Sequence, residues 1–179
     1  MLRGEVVGLR AIEHGDLRQL LDFRNQPNLR QYFREYRELS FRDQENWFNE
    51  RVLRDPATRM FAIEELASGR LMGACGLCYI SPINRSADFS IYIGADNLYI
   101  DDLYAPDAGK LLIHYGFSEL NLNRIWAEIY DFDSPKIRYF EQMGFTLEGR
   151  HRQTRWTQSR FVDSLFWSLL AGDPQAAAP

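Results

Sequence analysis

Long apolar runs are missing from this chain of 179 residues: no window approaches the eighteen or so consecutive apolar residues of a membrane-spanning helix. The opening MLRGEVVGLRAIEHGD has no apolar core of the kind a secretory leader carries, so a cytoplasmic location is expected. An excess of basic charge is missing too. Twenty-one Lys and Arg face twenty-five Asp and Glu, giving a formal charge of −4, which argues against a nucleic-acid surface and for a small partner. Lysine is confined to Lys110 and Lys136, so the positive charge is almost all arginine, the side chain suited to planar, bidentate anion contacts. Histidine occurs only at His14, His114 and His151, without the spacing of metal ligands, and no metal is expected. Cys75 and Cys78 form a C-x-x-C spacing inside the apolar RLMGACGLCYI. Strand positions three apart point to opposite faces, so the sulfurs do not converge, and buried apolar cysteines are favoured over a redox or zinc pair.

What the chain does have is apolar material for one core. With 45% hydrophobic and 14% aromatic residues it suits a single domain, set at residues 1–172, followed by a tail, DPQAAAP at 173–179, expected to be disordered. EVVGLRAI reads as an opening strand, and HGDLRQLLDFRNQP as a helix through Leu17, Leu20, Leu21 and Phe23, ended by Pro27. Ser40, with Asp43 three residues on, predicts a capped second helix. MFAIEEL and LMGACGLCYI, joined by ASGR, predict a hairpin, and ADFSIYIG adds a third strand in which Phe89, Ile91 and Ile93 alternate with Ser90 and Tyr92. Pro106 to Leu120 is helical by Ala108, Leu111, Leu112 and Tyr115, and leads into the strand RIWAEIY. A strand, helix, strand order needs a crossover, so residues 87–94 and 124–130 are expected to be parallel neighbours. Ser134 is the expected cap of a short helix that stops at Gly144, and FTLEGRHRQTRW with SRFVDSLFWSLL forms a closing strand pair.

Taken in order, LRAIEHGDL, FRNQPNLRQYFREYR, SPINRSADFSIYIG, YAPDAGKLLIHYGFSELNLNRIWAEIY, KIRYFEQMGF and the closing EGRHRQTRW with FVDSLFWSLL resemble the GNAT superfamily of acyl-CoA N-acyltransferases over nearly the whole chain. The chain is most similar to the branch of ribosomal-protein N-terminal and amino-sugar acetyltransferases. The resemblance implies an α/β (α+β) fold: a mixed, mostly antiparallel twisted sheet, helices on both faces, and two splayed parallel central strands. It implies acetyl-CoA as co-substrate, its pantetheine arm lying along Tyr92, Ile93 and Gly94, with the amides near Ile93 and Gly94 polarising the thioester carbonyl. The pyrophosphate would lie at Leu103, Tyr104 and Ala105, the start of the following helix, with Asp133 and Lys136 nearby.

The loop before that helix departs from the family pattern of a basic or glutamine residue, two variable positions, glycine, one variable position, then glycine or alanine. The chain has Ile100, Asp101, Asp102, Leu103, Tyr104 and Ala105, of which only Ala105 matches. Leu103 crowds the approach of a phosphate to the backbone, and two aspartates repel it. The general-acid tyrosine of many relatives falls at Phe140, which leaves the neighbouring Tyr139, or Tyr130 at the end of its strand, as proton donors. Glu35 and Glu128 are the carboxylates available as a base, each with ion pairing as its ordinary reading. Arg30, Arg34 and Arg37, with Arg150, Arg152 and Arg155, suit either a solvated face or an anionic substrate. Acetyl transfer to a primary amine of a small molecule, or of a protein N-terminus, is the expected function. The rival is a non-catalytic binding or assembly module, and Trp156 and Trp167 allow a homodimer.

Overall fold

A computed structural model describes residues 1–35 and 37–177. The strands β1 (Leu2–Arg3), β2 (Val7–Ala11), β3 (Arg59–Glu65), β4 (Leu71–Ser81), β5 (Ser86–Ile93), β6 (Arg124–Tyr130), β7 (Thr146–Thr157) and β8 (Arg160–Leu170) join in one sheet. Its order is β1-β2-β3-β4-β5-β6-β8-β7, and β5–β6 is the parallel pair in an otherwise antiparallel ladder. The parallel step arises because α4 (Tyr104–His114), prolonged by a wider turn at Tyr115–Glu119, carries the chain back across the sheet.

Apolar spacing sets the helices. In α1 (Leu17–Asn25) the buried residues are Leu17, Leu20, Leu21 and Phe23, one stripe over the sheet. α1 ends at Asn25, with Gln26 extended before Pro27 as expected, and Pro27 then opens the short α2 (Pro27–Arg30), where its missing N–H costs nothing. In α3 (Phe41–Trp47) the Asp43 N–H donates to Ser40 Oγ at 3.2 Å and the Ser40 N–H donates to Asp43 Oδ2 at 2.8 Å, a reciprocal cap. In α5 (Ser134–Gln142) the cap is Asp133 rather than Ser134: its carboxylate accepts from the Lys136 N–H at 3.1 Å. Gly144, with φ 80°, ends α5 in the left-handed turn that glycine tolerates. The helices flank both faces of the sheet.

Cys75 is buried on β4, while Cys78 lies at the strand's irregular end with its Sγ 3.8 Å from Met60 Sδ, and both are free thiols. Burial raises both thiols, Cys78 to about 12, so neither is a thiolate near neutral pH. The expected disordered tail starts with order: the Leu170 N–H donates to Asp173 Oδ2 at 2.9 Å and Pro174–Ala177 form a single turn. Residues 178 and 179 lie outside the described residues.

Candidate active site

β5 and β6 are paired at only three positions, Ser86–Arg124, Ala87–Ile125 and Asp88–Trp126. Past that point β5 continues along β4 to Ile93 while β6 continues along β8 to Tyr130, so the two strands diverge and open a fork in the middle of the sheet. A cleft of about 390 Å³ lies there. Tyr32, Phe33, Trp47 and Tyr79 give it aromatic walls; Asp88, Phe89 and Ser90 come from β5, and Glu128, Ile129 and Tyr130 from β6. Asp133 and Lys136, at the start of α5, close one end.

The fork is built for an amide-bearing ligand. Backbone groups alternate sides along a strand. The Gly94 N–H donates to Met72 O of β4 at 2.8 Å, while the Ile93 N–H points the other way and donates to Tyr99 O at 2.8 Å. Ile91, two residues back, therefore presents its N–H and C=O toward the fork, beyond the last β5–β6 pair. The amides of Ile93 and Gly94, named from sequence as carbonyl-polarising donors, are engaged within the protein; the available one is Ile91's.

The carboxylates differ in temper. Asp88 has no hydrogen-bond partner among the described residues, and burial pushes its carboxyl up to about 7 even though Arg34 and Lys136 pull it down. Glu35 accepts from Arg37 Nε at 2.9 Å and Nη2 at 2.8 Å, which holds it at about 2, far too acidic to be a good base. Burial works to raise Glu128, but the Ser164 hydroxyl at 2.7 Å and the guanidiniums of Arg34 at 2.9 Å and Arg155 at 3.3 Å outweigh it and keep the group below its ordinary value. Asp88 is thus the cleft carboxylate whose pKa lies nearest neutrality, and sequence reasoning passed it over. The signal was present: an acidic residue inside the apolar strand ADFSIYIG.

The tyrosines separate as well. Tyr139 is buried, and its hydroxyl donates to Ala105 O at 3.2 Å, between α5 and α4 and away from the cleft. A Cβ at Gly109 would collide with that hydroxyl, so the glycine makes room for it. Burial drives the Tyr139 phenol well above its ordinary value. Tyr139 therefore sits in a packing position, whereas Tyr130, the other tyrosine named from sequence, lines the cleft and stacks on Phe132 at 5.2 Å. Tyr92 is buried edge-on to Phe33 at 5.3 Å. Glu35, Tyr130, Asp133 and Lys136 are thus brought together, and Tyr139, Tyr92, Ile93 and Gly94 are not.

At the far end of the fork the α4 N-terminus aims its free amides outward, as an anion site does. Here the Asp101 carboxylate accepts from the N–H groups of Leu103 at 2.9 Å, Tyr104 at 2.8 Å and Ala105 at 2.9 Å. Leu103 is exposed and the Tyr104 hydroxyl donates to Glu65 Oε1 at 2.6 Å. Lys136 does not face this loop: its Nζ lies 5.4 Å from the Tyr99 ring centroid, and burial lowers its pKa. In this conformation the α4 amides that would meet a pyrophosphate are taken by Asp101.

Among the described residues no group of three or more metal-ligating side chains exists, and no helix is long and apolar enough to cross a membrane. The model of the acetyltransferase (GNAT) domain matches residues 7–146. The spermidine N(1)-acetyltransferase of Vibrio cholerae is 30% identical over 155 residues, 87% of each chain. The crystal structure of a spermidine N-acetyltransferase from Vibrio cholerae in complex with CoA and spermine superposes with a TM-score of 0.83 at 29% identity, covering 92% of this chain and 95% of that one. A dodecameric structure of the Vibrio cholerae enzyme superposes with a TM-score of 0.76 at 28% identity, over 92% and 93%. These relatives do not support the ribosomal-protein or amino-sugar branch: the segments that carried the resemblance build the fold and the fork, which leaves the acceptor open.

Proposed function

Because this chain belongs to the GNAT acetyltransferase family, we propose that it moves the acetyl group of acetyl-CoA onto a primary amine of a small molecule by direct attack inside the β5–β6 fork. As a family member it is an acetyl-CoA-dependent N-acetyltransferase; the acceptor and the groups that move protons are what is proposed. The observation that carries the reading is the fork itself, where Ile91 offers unpaired backbone beside a carboxylate held near neutrality.

Each step has a residue suited to it. Asp88 takes the proton that an ammonium must lose before its nitrogen can attack. The Ile91 N–H meets the oxyanion as the thioester carbonyl becomes tetrahedral, a donor already in place and costing little reorganisation. Tyr130 supplies the proton to the departing thiolate as the C–S bond breaks and recovers one as the acylated nitrogen sheds its second proton, its neutral form favoured because burial raises its pKa.

Polyamines are the first acceptors to test, since the relatives act on spermidine. A second reading, an amine that also carries an anionic group, is favoured by the cleft's charge. Glu35, Asp88, Glu128 and Asp133 are balanced by Arg24, Arg34, Arg51 and Lys136, so the cleft is not an acidic trough. Arg24, over the Phe33 ring at 4.6 Å, has no ion pair and a buried Nε without a partner among the described residues. The test is thiol release from acetyl-CoA with spermidine, spermine, amino acids and amino-sugar phosphates as acceptors. Amine-dependent release supports the function and its winner chooses between the readings. A folded protein that binds acetyl-CoA yet acetylates none of these amines overturns the small-molecule proposal.

A further inference from the structure

We propose that the segment from Gly94 to Leu103 is a strap that occupies the path of the cofactor arm and must swing out before acetyl-CoA binds, an inference that rests on the acetyl-CoA reading above. Three contacts along this short stretch follow the order in which a pantetheine arm and a pyrophosphate would make them. First, the carbonyl of Tyr99 takes the Ile93 N–H at 2.8 Å, on the side of β5 that faces the fork. Second, the buried Tyr99 side chain packs against two residues that line the cleft, Tyr32 and Asp133. Its ring stacks on Tyr32 at 4.3 Å and 9°, and its hydroxyl donates to the buried Asp133 at 2.7 Å. Third, the Asp101 carboxylate takes three amides at the α4 N-terminus, the groups that would cradle a phosphate.

A peptide carbonyl thus stands for the cofactor's amide and a carboxylate for its pyrophosphate. The outer face of the segment is held more lightly. Arg70 pairs with Asp96 at 2.8 Å on the surface, and Asn28 donates to Asn97 O at 3.3 Å. Asp96 and Asn97 both adopt left-handed φ values, 56° and 57°, which these two residue types tolerate better than most. Only Asp96, Asn97, Asp102 and Leu103 of the stretch are exposed; Ala95 and Tyr99 are buried and Leu98 and Ile100 pack on the core, so opening exchanges those contacts for the cofactor's. The arrangement also gives a reason for Asp101 in a position where a free acid would repel the ligand. The acid is an internal competitor, and binding is reduced by the fraction of molecules in which the strap is closed.

The experiment is calorimetric titration of wild type, Asp101→Ala and Tyr99→Phe with acetyl-CoA, beside amide hydrogen exchange of the ligand-free proteins. Asp101→Ala removes the phosphate stand-in; Tyr99→Phe keeps the ring and deletes only the bond to Asp133. The expected result is about tenfold tighter binding in either variant, with faster exchange at Ile93 and at residues 103–105. Wild type that binds acetyl-CoA as well as or better than both variants overturns the strap and leaves the acetyl-CoA reading standing. If neither wild type nor variants bind at millimolar ligand, the acetyl-CoA reading falls and the strap with it, so the two failures are told apart by the wild-type titration. Should Asp101→Ala not fold, Tyr99→Phe decides by the same comparison.

Discussion

Asp88 occupies the last rung at which β5 and β6 are paired, where burial drives its carboxyl up to about 7 against the pull of Arg34 and Lys136. A group poised there is half ionised near neutrality, which suits a general base. The pH profile of kcat/KM should therefore show an acid limb near 7 that Asp88→Asn abolishes, with activity lowered by roughly two to four orders of magnitude. An unchanged limb in that variant would move the base elsewhere. Glu35 shows why such a role is not legible from residue type: REYR supplies a carboxylate, but the chain turns so that Arg37 clamps it from the backbone N–H as well as the guanidinium. Tyr139 gives the same lesson for a phenol. One helical position separates it from Phe140, yet both are buried, and its hydroxyl is fixed on Ala105 O by the space that Gly109 leaves.

The start of α3 was written in Ser40 and Asp43, because a capping box is a contact between residues three apart and needs no tertiary information. Ser40→Ala should cost about 1 kcal/mol, read as a lower urea midpoint with an unchanged slope. A shift within error would mean that packing alone positions the helix. The start of α5 was misplaced by one residue for a related reason. Asp133 and Ser134 are both good caps, and the choice fell to Asp133, whose carboxylate also receives the distant Tyr99 hydroxyl. α4 lies between these cases. Its apolar spacing predicted the helix, while Asp101, anticipated only as a repulsive neighbour of a phosphate, turned out to accept the first amides of the helix from two residues before its N-cap Leu103.

At the scale of the whole molecule, the raised carboxyl of half-buried Asp88 makes stability depend on pH in an uncommon direction. Between the unfolded carboxyl value, about 4, and the folded value of about 7, the native state holds a proton that the unfolded chain has released. Stability from this group is therefore fully present below the unfolded value and is lost as pH rises through the folded one. Asp88→Asn removes the dependence, so its stability relative to wild type should improve between about pH 4 and about pH 7 and level off above, measured as urea midpoints. A constant difference between the two proteins would show that Asp88 ionises normally. Assembly belongs to this scale as well. Trp167 is buried in the core, whereas Trp156 and Phe161 stand exposed, 5.0 Å apart, on the β7–β8 hairpin. Trp156 is thus the one of the two tryptophans still available to a partner copy.

The sequence by itself determined the elements, their order and the parallel crossover, because apolar periodicity, caps and turn residues act over a few positions each. It also determined that residues 100–105 lack the glycines a close phosphate approach prefers. Only the tertiary structure decided which acids are free to act. Pairing of Glu128 with Arg34 and Arg155, desolvation of Asp88, burial of Tyr139 on Ala105 and the bond from Tyr99 to Asp133 all depend on segments far apart in the chain. Desolvation and charge pairing are set by every neighbour within a few ångströms, and the chain chooses those neighbours only when the whole sheet closes.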